Sequence, residues 1–125
     1  MISILLVIMI ACIHWEADFS LQTHEMATNK SKSNYWLTMH VLVYTSATLL
    51  FWRFFIFDVD TVYHFTDYLY FSIFIFVTHW ITDYITSRFT GKLYKEGKYH
   101  EFFCVIGVDQ VLHLTQLLIA YHLFK

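Results

Sequence analysis

Charged residues are scarce in this chain, at 14% of 125 positions. Ordinary soluble domains carry roughly a quarter, whereas hydrophobic residues here reach 58% and aromatics 21%. Disordered chains are poor in aromatics and rich in charge, so disorder is excluded too. Neither sign of charge is in excess, the formal net charge being −2. With no basic face to neutralise phosphates, a nucleic-acid partner is excluded. Proline is absent, so none interrupts the apolar runs. The two cysteines, Cys12 and Cys104, are too few for a disulfide framework and read as small buried hydrophobes. The apolar start, Met1 to Ile13, lacks the basic residues that open a signal peptide and reads as a mature helix.

Four apolar segments remain, at about 1–21, 36–57, 66–87 and 102–124. Each is near the roughly 20 residues that a bilayer requires. The expected fold is all-α, one polytopic membrane domain over 1–125 with four transmembrane helices. Polar residues fall in stripes on these greasy segments: His14, Asp18 and Gln22; Ser72, His79 and Asp83; Asp109, His113 and Gln116. Such a stripe faces a bundle interior or a wet cavity. Lys30 and Lys32 follow the first segment, and Arg88, Lys92, Lys95 and Lys98 follow the third. Asp58 and Asp60 follow the second without lysine or arginine. Positive loops stay in the cytoplasm, so both termini are expected outside it. Tyr35 and Trp36 would then anchor the inner headgroup level, and Trp52 the outer one.

Two hexads match: His14-Trp15-Glu16-Ala17-Asp18-Phe19 and His79-Trp80-Ile81-Thr82-Asp83-Tyr84. They suggest two pseudo-repeated helical hairpins entering the membrane in the same sense. Asp109 and His113 repeat the four-residue spacing in reverse, and His40 opens the second segment. Four residues is about one helical turn, so each pair projects from one face. On the four-span frame His14, Asp18, His40, His79, Asp83, Asp109 and His113 share one depth. A single histidine on an apolar face is usually a hydrogen-bonded core residue. Three pairs at one depth argue instead for a divalent metal, because imidazole with carboxylate suits zinc, manganese or iron(II). Seven ligands exceed one tetrahedral ion, so two ions with a bridging carboxylate are expected. Asp18, Asp83 or Asp109 could serve as a base instead. Gln22 and Gln110 could orient ligands or substrate, although interhelical hydrogen bonds are the simpler reading. Glu16 lies two residues from His14, which defeats a zincin motif. Glu25 is either a proton shuttle or a solvated loop charge. His24, His64, His100 and His122 fall outside the cluster.

At these residues the chain resembles the domain of unknown function 3307 family of small bacterial and phage integral membrane proteins. The matching features are His14-x-x-x-Asp18-Phe19-x-Leu21-Gln22, Asn29-Lys30, His40, His79-x-x-x-Asp83-Tyr84 and Gly107-x-Asp109-Gln110-x-x-His113. The resemblance covers nearly the whole chain. It implies a compact domain in the bacterial inner membrane and supplies no activity. It adds Asn29, Lys30 and Gln110 as site residues. A looser analogy holds to bacterial inner-membrane metal-dependent hydrolases. The expected function is hydrolysis of a lipid or lipid-linked ester or phosphoester. The rivals are an ion, proton or small-solute transporter and a non-catalytic phage factor that binds a host protein. Membrane lipid is the expected partner, and self-association is open.

Overall fold

The computed structural model describes residues 3–55 and 64–124. Helix α1, Ile4–Trp15, starts where Ser3 Oγ accepts the Leu6 N–H at 3.2 Å. It runs without a break into a π-helical turn, Glu16–Ser20, closed by the Leu21 N–H on the Glu16 carbonyl at 3.0 Å. Single π turns are frequent at functional sites, and this one carries Asp18. Helix α2, His24–Asn29, is capped by Thr23, whose Oγ1 accepts the Met26 N–H at 3.3 Å. Helices α3 (Asn34–Phe55), α4 (Phe65–Lys95) and α5 (Tyr99–Leu123) are the long elements. The Asp67 carboxylate fixes the start of α4 by accepting the His64 N–H at 2.8 Å. Three residues join α4 to α5, with Gly97 at φ +71° making a turn that an L side chain disfavours.

Helix α4 packs against α5 and α3, and α1 touches both α3 and α5. Ile10, Ala17, Tyr44, Ala47, Trp52, Phe71, Ile75, Leu117 and Ala120 form the apolar core. The rings of Trp52 and Phe71 lie 5.0 Å apart. Burying each such large side chain is worth about 1.5–3 kcal/mol. The polar cluster lies on the π-turn side of this core.

All-α structure holds, but the chain is not a four-span polytopic membrane protein. Among the described residues one helix, Tyr99–Leu123, is long and apolar enough to cross a membrane, with 11% of its most apolar stretch buried in the fold. The segment drawn at 1–21 resolves into a twelve-residue helix, a π turn and a loop. At 1.5 Å per residue α1 is about 18 Å long, short of a hydrocarbon core of about 30 Å. Helices α3 and α4 have the length but not the apolarity. The segment drawn at 66–87 runs on to Lys95 and takes in Arg88 and Lys92. The apparent spans are instead helices that bury polar stripes against one another.

The two pseudo-repeated hairpins fall with it. The first hexad straddles the end of α1 and the π turn, while the second is continuous helix within α4. Trp15 is exposed, whereas Trp80 donates to Thr38 Oγ1 at 3.1 Å. Helix α2 also interrupts the first supposed hairpin. Trp52, expected at a headgroup level, is 1% exposed and belongs to the core. Cys12 and Cys104 are exposed rather than buried. Asp58 and Asp60, on which the charge-based orientation leaned, lie outside the described residues. The exterior carries many large apolar side chains, among them Phe54, Phe65 and Phe103, each at least two-thirds exposed.

Candidate metal centre

All seven expected ligands meet in one cluster drawn from five elements. Helix α1 contributes His14, the π turn Asp18, α3 His40, α4 His79 and Asp83, and α5 Asp109 and His113. Six of the seven are buried, and Asp109 is half-buried. The three four-residue pairs stay close, at 3.8 Å for His14–Asp18, 3.7 Å for His79–Asp83 and 3.3 Å for Asp109–His113.

Four donor atoms converge most tightly. His40 Nε2 lies 3.1 Å from Asp18 Oδ1 and 3.3 Å from both Asp83 Oδ2 and His79 Nε2. His79 Nε2 lies 3.5 Å from Asp18 Oδ1 and 3.7 Å from Asp83 Oδ2. A tetrahedral zinc with bonds of about 2.1 Å separates its ligand atoms by about 3.4 Å. The five separations scatter about that value. Asp18 Oδ1 is buried and makes no hydrogen bond, although two imidazole nitrogens point near it. A buried carboxylate oxygen without a donor calls for a cation. This group could hold a metal ion.

A second group, Asp18, Asp109 and His113, also offers ligand atoms within 4.8 Å of one another. The two carboxylates at the centre divide their oxygens between the groups. Asp83 turns Oδ2 to His40 and accepts at Oδ1 from His113 Nε2 at 3.0 Å. Asp18 turns Oδ1 to His40 and His79, and Oδ2 to His14.

Lys30 is the member that spacing did not reveal. It lies just past α2 and donates from Nζ to Asp83 Oδ2 at 2.8 Å, with His40 Nε2 at 3.3 Å. Burial alone would lower its pKa. The Asp83 and Asp18 carboxylates outweigh that, so the ammonium is held above its ordinary value. Burial likewise works against charge on His79 and prevails, leaving its pKa well below that of a free imidazole. For His40 burial also lowers, but Asp18 and Asp83 overcome it and raise the pKa. Three carboxylates face one ammonium here. Two further positive charges, from protonated His40 and His113 or from bound divalent metal, would balance the cluster. His40 Nδ1 and His79 Nδ1 have no partner among the described residues.

Surrounding side chains orient the cluster. Tyr44 stacks on His79 with centroids 3.8 Å apart, and its hydroxyl is 3.2 Å from His14 Nδ1. Thr86 donates to Asp109 Oδ1 at 2.6 Å. Gln110 bridges two groups, with Oε1 2.9 Å from His14 Nε2 and Nε2 donating to Asp109 Oδ2 at 3.0 Å. It is thus the interhelical hydrogen bond that a glutamine most simply makes. Gln116 does the same between α5 and α4, donating to Thr82 Oγ1 at 2.7 Å. The sequence reading did not assign Tyr44 or Thr86 to the site. Their signal was helical phase, since Tyr44 is four residues beyond His40 and Thr86 three beyond Asp83.

A cleft of about 970 Å³ reaches this cluster. Asp18, Asp83, Asp109, Lys30, Gln22 and Gln110 line its deep end, whereas the imidazoles stand behind them. Gln22 Oε1 is buried without a partner. Glu25 is exposed and does not line the cleft. Asn29 turns to its own helix, donating to the Glu25 carbonyl at 3.0 Å. Arg88 is held away by Asn34 Oδ1 at 2.6 Å and by the Tyr84 ring.

Fold and site together define a small all-α protein with a buried histidine–aspartate centre open to a cleft through its carboxylates. The chain belongs to the family described as Protein of unknown function (DUF3307), whose profile matches residues 4–125. No curated protein and no solved structure matches it.

Proposed function

We propose that this protein is a divalent-metal-dependent hydrolase acting on an ester or phosphoester of a lipid or lipid-linked substrate. The observation that carries the reading is the convergence of Asp18, His40, His79 and Asp83 at tetrahedral ligand spacing, with Asp18 and Asp83 lining a cleft. Zinc, manganese and iron(II) all suit this donor set. A closed set of four protein ligands is typical of a structural ion, while three ligands and a free position are typical of a catalytic one. The neighbouring group, Asp18, Asp109 and His113, has three ligands, and Asp109 faces the cleft. Asp18, which belongs to both groups, would be the residue common to two such ions.

A divalent ion supplies Lewis acidity and lowers the pKa of a water. Asp109, oriented by Thr86 and Gln110, would act as general base in place of a ligand role, accepting a proton from water as the water oxygen attacks the scissile phosphorus or carbonyl. The ester bond to the leaving oxygen breaks, and that oxygen receives the proton. Lys30 sits where it can stabilise negative charge developing on the transferred group. Phe19, Phe102 and Ile106 on the cleft wall, together with the apolar face of α5, favour a substrate with a hydrocarbon part at the bacterial inner membrane.

An ion conduit ranks second. Beyond Tyr44 the interior is mainly Ala47, Trp52, Phe71, Ile75 and Leu117, which gives an ion little to follow.

Metal analysis of the purified protein tests the proposal. Stoichiometric zinc, manganese or iron that disappears in Asp18→Ala/Asp83→Ala, with metal-dependent release of phosphate or carboxylate from a lipid ester, supports it. A folded protein that takes up none of these metals overturns it.

A further inference from the structure

Five of the eight lysines and arginines in the chain line one cleft: Lys30, Lys32, Arg88, Lys92 and Lys95. Lys30 is committed to Asp83, and Arg88 to Asn34 and Tyr84. Lys32 and Lys95 have no acidic partner among the described residues. Lys92 only approaches Glu96, at 3.9 Å, while Glu96 is taken up by Lys98 at 2.8 Å. Lys92 and Lys95 offset the negative end of the α4 dipole. That does not account for Lys32, which comes from the separate segment between α2 and α3 and faces the same opening. A charge-based membrane orientation does not account for the cluster either, since the four-span frame is not the fold.

Two further features mark the mouth as a receptor for an anion. Ser87 lines the cleft at 8% exposure, and its hydroxyl is buried without a hydrogen-bond partner. Ser31 and Gly91 lie in close contact on the same wall, where a Cβ on Gly91 would come within 3.4 Å of the Ser31 Cβ. Small hydroxylated residues and ammonium groups are the donors that hold phosphate oxygens. The cleft is also lined by the apolar side chains of Phe19, Phe102 and Ile106.

We propose that the mouth of the cleft is a headgroup site for an amphiphilic organic phosphate. Lys32, Lys92 and Lys95 hold the phosphate oxygens, Ser87 donates a hydrogen bond, and the apolar part of the ligand lies along Phe102 and Ile106. This names the substrate class of the hydrolase reading and rests on it for what becomes of the ligand. Binding itself does not depend on turnover.

The test uses the full chain, stripped of metal by chelator so that binding is read apart from hydrolysis. The probes are phosphatidylcholine vesicles doped with phosphatidic acid, plain phosphatidylcholine vesicles, and soluble glycerol 3-phosphate. Wild type should prefer the doped vesicles. Lys32→Gln/Lys92→Gln/Lys95→Gln should weaken that binding on the order of a hundredfold, each lysine near an anionic surface contributing about a factor of five. Arg53→Gln, a cation outside the cleft, should leave it unchanged. Ile106→Trp narrows the cleft without altering charge and should also weaken binding, which separates a cleft from general surface attraction. Equal losses in the Arg53 variant, or full binding by Ile106→Trp, overturn the site. Glycerol 3-phosphate binding as tightly as the doped vesicles overturns the amphiphile and assigns a soluble phosphate ester. Absence of turnover alongside intact cleft binding overturns the hydrolase and leaves the headgroup site standing.

Discussion

Replacing Lys30 by methionine distinguishes a metal centre from a purely architectural polar network. The lysine side chain is 19% exposed, and its ammonium makes a 2.8 Å bond to Asp83. Methionine keeps most of the stem and removes the charge. Asp18, Asp83 and Asp109 then have no permanent cation against them. Breaking a buried pair from one side costs about 3–5 kcal/mol. A chain of this size shifts its melting temperature by about 4 °C per kcal/mol. The metal-free variant should therefore melt about 12–20 °C below wild type. A divalent ion supplies the missing positive charge and no longer meets a competing ammonium at Asp83 and His40. Ion present at a thousand times its Kd contributes about 4 kcal/mol. Zinc or manganese should thus bring Lys30→Met close to wild type, and the variant should bind metal more tightly. The assay is thermal unfolding by circular dichroism after chelator treatment, with each metal added back. The reasoning is refuted if metal leaves both melting temperatures where they were, or raises Asp18→Asn/Asp83→Asn as much as wild type.

Asp109→Asn should abolish hydrolysis while metal analysis still finds an ion in the four-ligand group. Tyr44→Phe should cost about 1 kcal/mol in denaturant unfolding, because it loses the hydroxyl contact to His14 but keeps the stack on His79. Leu117→Ala, at a fully buried core position, should cost about 2–5 kcal/mol by the same measurement. Metal affinity should begin to fall already above a pH of about 6.5 as the pH is lowered, because the ligating imidazoles must be neutral and the Asp18 and Asp83 carboxylates raise the His40 pKa against burial. His40 holds its proton more firmly than a free histidine, so calorimetry in buffers of different ionisation heat should detect proton release on binding.

The amino-acid sequence by itself determined the helical class and which histidines and aspartates gather in one cluster. The four-residue spacing of His14–Asp18, His79–Asp83 and Asp109–His113 requires each pair to share a helix face, and apolar neighbours require those faces to turn inward. Tertiary structure decided what lies around them. Hydropathy does not separate a segment apolar because lipid surrounds it from one apolar because its neighbours do, so among the described residues four apparent spans reduced to α5. Periodicity assumes an unbroken helix and so could not place the π turn that carries Asp18. No local pattern could bring Lys30 to Asp83, because that contact joins residues 53 positions apart through the packing of α2 against α3 and of α3 against α4. Nor could one gather Lys32, Lys92 and Lys95 at the same opening, since a charge in a loop acquires a role only from what the fold sets opposite it.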